Sequence, residues 1–250
     1  MHGYDDSTYG DAFADVYDDW YHDVTDVPAT VALLRRLGDD GGSPEPRYLE
    51  LGVGTGRIAV PLAATGAHVT GIDASDAMLA RLADTARRAN VNVHALLGDM
   101  VDDLPEGPFS IVFVTYNTFF NVRDAARQQQ LFREVAARLR PGGRFVIEAF
   151  VPDPDRPEGS TVSVRSMTTD RVVLVADIHR PSDQMVDGQI IEFTESGGVR
   201  LRPFSIRYCP VDELDRMATH AGLALEERME TAAGAAFHAD SATHVSIYRR

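Results

Sequence analysis

Glu50 and the glycines that follow it, Gly52, Gly54 and Gly56, are the residues of this chain best suited to hold a small charged ligand. They stand in the run Tyr48-Leu49-Glu50-Leu51-Gly52-Val53-Gly54-Thr55-Gly56-Arg57. Tyr48 to Leu51 reads as a strand, and Ile58-Ala59-Val60-Pro61-Leu62-Ala63 as the start of a helix. The glycines between them permit positive φ and let a ligand come within contact distance of the backbone. The helix start adds unpaired N–H groups and the positive end of its dipole. A carboxylate in a central strand is costly, since even a neutral polar group without a partner costs about 2–7 kcal/mol. Glu50 is therefore expected only where a cation meets it. A pyrophosphate would be repelled, whereas an ammonium or sulfonium would be held. The G-x-G-x-G spacing also departs from the G-x-G-x-x-G of dinucleotide loops. A plain strand–turn–helix with no ligand is the competing reading, and the acids further along the chain weigh against it.

Asp73 closes a second strand, His68 to Asp73, at about the distance from a glycine turn where a dinucleotide fold places its ribose-binding acid. It could instead cap the helix that begins near Ala74-Ser75-Asp76. Ser75 or Asp76 can do that capping, which favours a ribose role for Asp73. Val91 to Met100 reads as strand three and ends in Gly98-Asp99-Met100. Phe109 to Val114 is a continuous apolar run, as expected of a buried parallel strand. It opens into Thr115-Tyr116-Asn117-Thr118-Phe119-Phe120-Asn121. A helix from Gln130 to Leu139 is stopped by Pro141-Gly142-Gly143, and strand five, Arg144 to Phe150, carries a second charge in an apolar setting, Glu148.

The elements around this βα rhythm follow from composition and punctuation. Residues 1–27 are rich in aspartate and aromatics, with Phe13, Tyr17 and Trp20-Tyr21 at helical spacing, so an amphipathic helix is expected. Pro28 to Leu37 reads as a second helix ended by the Gly38–Pro44 breaker. After Phe150 the pattern changes. Prolines 152, 154 and 157 stiffen a loop, and β-branched runs at 161–167, 171–178, 189–194 and 199–208 predict an antiparallel insertion. Val211 to Ala221 is the last helix, with Asp212 as N-cap, and Leu223–Met229 and Thr243–Tyr248 are the last two strands.

Composition sets outer limits. The 250 residues, 44% of them hydrophobic, suffice for one sizeable core. Net charge is −14 and every basic side chain is arginine. An acidic surface argues against nucleic acid and against anionic membranes as partners. Cys209 is the single cysteine, so no internal disulfide forms, which fits a reducing, cytoplasmic setting. The N-terminus lacks the basic and apolar regions of a signal peptide, and no apolar run nears the ~20 residues of a membrane span. No metal-ligand spacing stands out. The sequence leaves the oligomeric state open, with a homodimer as one option.

Glu50-Leu51-Gly52-Val53-Gly54-Thr55-Gly56 resembles motif I of the class I S-adenosylmethionine (SAM)-dependent methyltransferases. The resemblance runs from about Tyr9 to the end of the chain. It implies a doubly wound, Rossmann-like α/β sheet of seven strands in the order 3-2-1-4-5-7-6, counting main-sheet strands only, with strand seven antiparallel. It implies SAM lying along the carboxyl edge, held by Glu50 and the Gly52-Gly54-Thr55-Gly56 loop. The ribose would sit on Asp73 beside Ala74, and the adenine against Met78, with Asp99 and the N–H of Met100 at its amino edge. Thr115 would flank the cofactor. An N-terminal helix with a Tyr-Asp pair closes over SAM in this family, and Tyr17-Asp18 matches that pair, which makes residues 1–27 a lid.

The layout is similar to small-molecule methyltransferases of bacterial secondary metabolism, including the sugar N,N-dimethyltransferases. The insertion at 155–208 would then roof the acceptor pocket. Those enzymes carry a histidine after strand four where Asn121 stands here, a departure that counts against an amino-sugar acceptor. Acceptor contacts are expected from Tyr116, Asn117 and Asn121, from Glu148, from His179 and Tyr208 of the insertion, and from His244 at the start of strand seven. The expected chemistry is in-line displacement of the methyl group onto a small molecule, leaving S-adenosylhomocysteine (SAH). Two other readings compete: a SAM-binding sensor or partner subunit that transfers nothing, and an NAD-dependent dehydrogenase. Glycine spacing and Glu50 oppose the latter.

Overall fold

Strand four shows why the sheet forms where it does. In the computed structural model, which describes residues 1–250, Phe109–Val114 (β4) is buried at every position. Such a strand needs neighbours on both edges and layers on both faces. Arg47–Leu51 (β1) pairs with it in parallel on one side and Leu139–Phe150 (β5) on the other. His68–Asp73 (β2) and His94–Leu97 (β3) extend the sheet beyond β1, again in parallel. At the opposite end Thr243–Arg249 (β11) runs antiparallel to β5, and Ala224–Met229 (β10) antiparallel to β11. The order β10-β11-β5-β4-β1-β2-β3 is the expected 3-2-1-4-5-7-6 arrangement. The insertion is a separate antiparallel sheet, β6 (Gly159–Met167), β7 (Arg171–Arg180), β8 (Met185–Thr194) and β9 (Gly198–Arg207), paired in chain order.

Helices cover both faces. Val27–Asp40 (α3), Ala59–Ala64 (α4) and Asp76–Ala89 (α5) supply one apolar layer with Leu34, Leu62 and Leu82. Ala125–Arg138 (α6) and Val211–His220 (α7) supply the other with Phe132, Leu131 and Leu214. Caps match the starts: Asp26 accepts from the Ala29 N–H, Ser75 from Met78 and Asp124 from Arg127. α6 thus begins five residues before the expected Gln130, because Asp124 captures its first turn. α7 starts after Pro210 with no side-chain cap, so Asp212 lies inside its first turn rather than capping it. β5 starts at Leu139 opposite Phe109, which puts Pro141-Gly142-Gly143 within the strand instead of before it.

The N-terminal segment is not one helix. Thr8–Phe13 (α1) and Tyr17–Trp20 (α2) are separated by a short break at residues 14–16. Asp15 in that break is drawn to the insertion by Arg202 at 2.6 Å and Arg200 at 2.7 Å. Arg202 is fully buried, also meets Glu192 and the Ala12 carbonyl, and packs over the Trp20 ring. A buried guanidinium needs such multiple partners, and meeting them costs the helix its continuity.

Candidate active site

Every loop that follows the carboxyl end of β1, β2, β3 or β4 reaches one crevice, as the doubly wound topology requires. Its wall includes Gly52, Gly54, Asp73, Ala74, Met78, Asp99, Met100 and Asn121. The three loop glycines all have positive φ, +63°, +54° and +85° for Gly52, Gly54 and Gly56. At Gly54 the nearest atom to an added Cβ is the Gly52 carbonyl 4.0 Å away, so that side opens into the crevice. At Gly56 a Cβ would collide with Val60 of α4 and crowd Leu82 of α5, so this glycine serves packing rather than approach.

Asp73 is organised before any ligand. Its Oδ2 accepts from the Gly54 N–H at 2.8 Å and its Oδ1 from the Ser75 N–H at 2.9 Å. Burial still pushes its carboxyl above the ordinary value, against those two bonds. Of the two capping candidates, Ser75 rather than Asp76 caps α5, and it also donates to Asp11 at 2.6 Å. Asp99 accepts from the Val101 and Asp102 N–H groups and from Arg127 at 2.7 Å through Oδ1. Met100 lines the crevice beside it.

Glu50 is buried behind the loop with Oε2 lacking any hydrogen-bond partner. Burial raises its pKa to about 8, opposed by Arg57 and by the Ala59 N–H. An orphaned buried carboxylate beside an open glycine cradle is what an ammonium-bearing cofactor requires. Asp73, poised on its two backbone bonds, keeps lone pairs that can accept from ribose hydroxyls. The residues present therefore fit SAM. Thr55 does not line the crevice; it is buried and donates to Asp18 at 2.6 Å, which ties the N-terminal segment to the loop. Arg57 does the same by donating to the Tyr21 carbonyl at 2.9 Å and lying over the Tyr17 and Tyr116 rings.

A second cavity of about 270 Å³ adjoins the first. Tyr9, Tyr17, Thr118 and Asn121 line both. Its own walls are Phe13, Tyr21, Tyr116, Asn117 and Phe150, and from the insertion Arg165, Val175, Ile190, Phe204 and Ile206. Tyr116 and Asn117 hold successive left-handed conformations, φ 47° and 66°. That is uncommon for a bulky residue such as Tyr116 and costs of order 1–3 kcal/mol. Glu148 holds the turn in place: its Oε2 accepts from the Tyr116 N–H at 3.3 Å and its carbonyl from the Asn117 N–H at 3.1 Å. Asn117 in turn accepts from the Phe150 N–H at 2.7 Å. Glu148 thus braces the turn from behind and is not in the cavity wall; burial lifts its pKa. Thr115, the residue after β4, is buried beneath the same turn and lines neither cavity, so it does not flank the crevice as expected.

Three expected acceptor residues lie elsewhere. His179 is buried at the base of the insertion, where Nδ1–H donates to the Pro157 carbonyl at 2.8 Å and Nε2 accepts from the Tyr208 hydroxyl at 2.8 Å. Both side chains are consumed by this clamp, and neither lines the cavity. His244 is the second residue of β11, opposite Ala149 and next to the active edge. Strand alternation turns it to the α6/α7 face, where Nδ1 meets Ser246 at 2.9 Å. Burial pushes its pKa down to about 3 and keeps it neutral. The sequence reading missed Arg165, Phe204, Val175 and Ile190. Alternation marks them as one face of their strands, but nothing in it says which face turns inward.

No helix of the structure is long and apolar enough to cross a membrane. A family model described as a methyltransferase domain matches residues 49–143, from β1 to the turn in β5. The cypemycin N-terminal methyltransferase of a Streptomyces species is 30% identical over 181 residues, spanning 70% of this chain and 71% of that protein. The CcbJ methyltransferase of Streptomyces caelestis is 38% identical and superimposes with a TM-score of 0.88 over 98% of this chain and 99% of its own. SAM-bound CalS10, an amino pentose methyltransferase from Micromonospora echinaspora, shares the fold at 20% identity with a TM-score of 0.69, over 94% of this chain and 96% of its own. With an orphaned acid behind a glycine cradle and relatives of this coverage, the chain belongs to the SAM-dependent methyltransferases.

Proposed function

We propose that this protein methylates an amine nitrogen of a small molecule, a secondary metabolite by analogy with its relatives. One observation carries the choice of nitrogen: the acceptor cavity contains no general base. No aspartate, glutamate or histidine lines it. The phenols of Tyr9, Tyr17 and Tyr116 stay protonated, because burial pushes Tyr17 and Tyr116 up to about 12 and raises Tyr9 well above its ordinary value. A hydroxyl acceptor would have to lose its proton to something, whereas a neutral amine attacks with its lone pair unaided. Arg165 in the wall and Arg57 stacked on Tyr116 disfavour an ammonium, which keeps the amine neutral.

When bound in the crevice, SAM would supply an electrophilic methyl carbon to the amine lone pair, its S–C bond exchanged for the new N–C bond and SAH the leaving group. The residues align and enclose. Glu50 anchors the amino end, Asp73 and Ala74 the ribose, and Met78, Asp99 and Met100 the adenine. Tyr17 and Asn121, shared by both cavities, border the junction where the nitrogen meets the methyl group. Residues 1–27 act as lid, since Gly10 of α1 packs so closely on Ser75 and Met78 of α5 that a side chain there would collide. The 155–208 insertion acts as roof. Closure excludes water and orders the reactants. The methylated ammonium gives up its proton to solvent after release.

Turnover of SAM to SAH is the test, using matched acceptors that differ only in an amine or a hydroxyl at one position. Methylation of the amine member, with a rate that rises with pH along the amine's own titration, supports the reading. Methylation confined to the hydroxyl member overturns it.

A further inference from the structure

The insertion sheet has two unlike faces. Its inner face holds the buried residues Val173, Ile190 and Arg202 and contributes Val175, Phe204 and Ile206 to the acceptor cavity. Register and alternation define the outer face. One row across all four strands reads Val164, Leu174, Ile191, Leu201. The next reads Met167, Val172, Phe193, Val199. A third, Val162, Ala176, Gln189, Pro203, completes a patch without a single charge. Val162, Val164, Met167, Val199 and Leu201 are between 57% and 69% exposed. No helix or loop of the chain covers them.

Four strands about 4.8 Å apart, with rows spread over five or six residues at ~3.3 Å, give a footprint on the order of 400 Å² in projection. That is the size of the largest apolar patch on a typical monomer, about 300–600 Å², which is often a functional surface. With the relief of the side chains and a polar rim it approaches the ~800 Å² that each partner buries in a standard interface. We infer that the outer face of the β6–β9 sheet is where two copies of this chain dock, sheet against sheet about a two-fold axis. A flat apolar sheet face is complementary to its own copy, because two such faces pack ~10 Å apart with interleaved side chains. Charge points the same way. At a net charge of −14, copies repel over most of their surface and anionic bilayers are repelled as well. Only a charge-free face can close without desolvating carboxylates. The same strands roof the acceptor cavity, so docking would also stiffen that roof.

Sedimentation or light scattering of the full chain from 1 to about 50 µM gives the first readout, and a dimer is expected across that range. A monomer at every concentration overturns the proposal, whatever any variant does. Leu201→Glu and, separately, Val164→Glu are expected to yield monomers with far-UV circular dichroism and SAH affinity unchanged. Leu97→Glu and Leu225→Glu, at exposed apolar sites on β3 and β10 of the main sheet, should remain dimeric. Dimers that survive both insertion variants but fall apart in either control place the interface elsewhere and overturn the proposal. So does a monomer that binds neutral phosphatidylcholine vesicles through this face, which would assign it to a lipid surface.

Discussion

The two cavities that meet at Asn121 are built by different means. The cofactor crevice is made of short polar loops at consecutive strand ends, with backbone N–H groups, positive-φ glycines and carboxylates set by local hydrogen bonds. The acceptor cavity is made mainly of rings and apolar side chains from four distant stretches: the N-terminal helices, the turn after β4, the end of β5 at Phe150 and the insertion. The first presents fixed dipoles and charges to a ligand of fixed structure. The second presents shape, and shape is changed by exchanging side chains without touching the backbone. One fold can therefore keep its methyl donor while varying what it methylates.

Gly54→Val should break the cofactor half outright. The branched side chain would fill the crevice at a backbone φ of +54°, and SAH binding should fall by more than a hundredfold while the far-UV spectrum is kept. Calorimetry showing wild-type affinity would mean that the loop is not the cradle.

Glu50 offers a test by pH. In the ligand-free chain burial raises its pKa to about 8 from the ordinary 4.5. The carboxylate is the form that meets an ammonium, so binding below about pH 8 should release a proton, and SAH affinity should climb as pH rises toward 8. The same raised pKa contributes stability that is fully present below pH 4.5 and is lost as pH rises through about 8. Glu50→Gln should flatten both dependences and weaken SAH binding by about 1.5–3 kcal/mol, the range for losing a hydrogen bond to a charged group. Equal proton release from wild type and Glu50→Gln, measured in buffers of different ionisation enthalpy, would remove Glu50 from the cofactor site.

Phe204→Ala addresses the acceptor half alone. Loss of this ring should raise the acceptor KM about tenfold, some 1.4 kcal/mol, and leave SAH affinity within a factor of two. A matching loss of SAH affinity would show that the two halves are not separable. Smallest is the effect of Tyr208→Phe, which removes the hydroxyl that His179 accepts from. Thermal unfolding should show a loss of about 1 kcal/mol, with kcat and KM unchanged. A shift in acceptor KM would instead return the His179–Tyr208 pair to the acceptor side.

The convergence of Gly52, Gly54, Asp73 and Asp99 on one crevice was legible because its determinants are local. Glu50 with Gly52 and Gly54 sits in one strand-to-helix turn, Asp73 and Asp99 each follow a recognisable strand, and parallel topology brings successive strand ends to one edge. The β-branched runs of the insertion could be anticipated for the same reason, since a period of two is written along a single segment; the strand order came from the resemblance to a known family. What followed from tertiary contact could not be read off. Strand alternation put His244 on a strand beginning at the right edge but could not say that its face turns to α7. His179 and Tyr208 look like reactive residues until their mutual hydrogen bond is seen. Glu148 has the chemistry of a base and the position of a brace. Arg202 breaks the aromatic N-terminal segment into two helices from some 190 residues away, a pull that no window of sequence contains. Local hydrogen bonding and periodicity are properties of neighbours in the chain. Which face of a strand becomes a cavity wall depends on what packs against it, and that is decided only when distant segments meet.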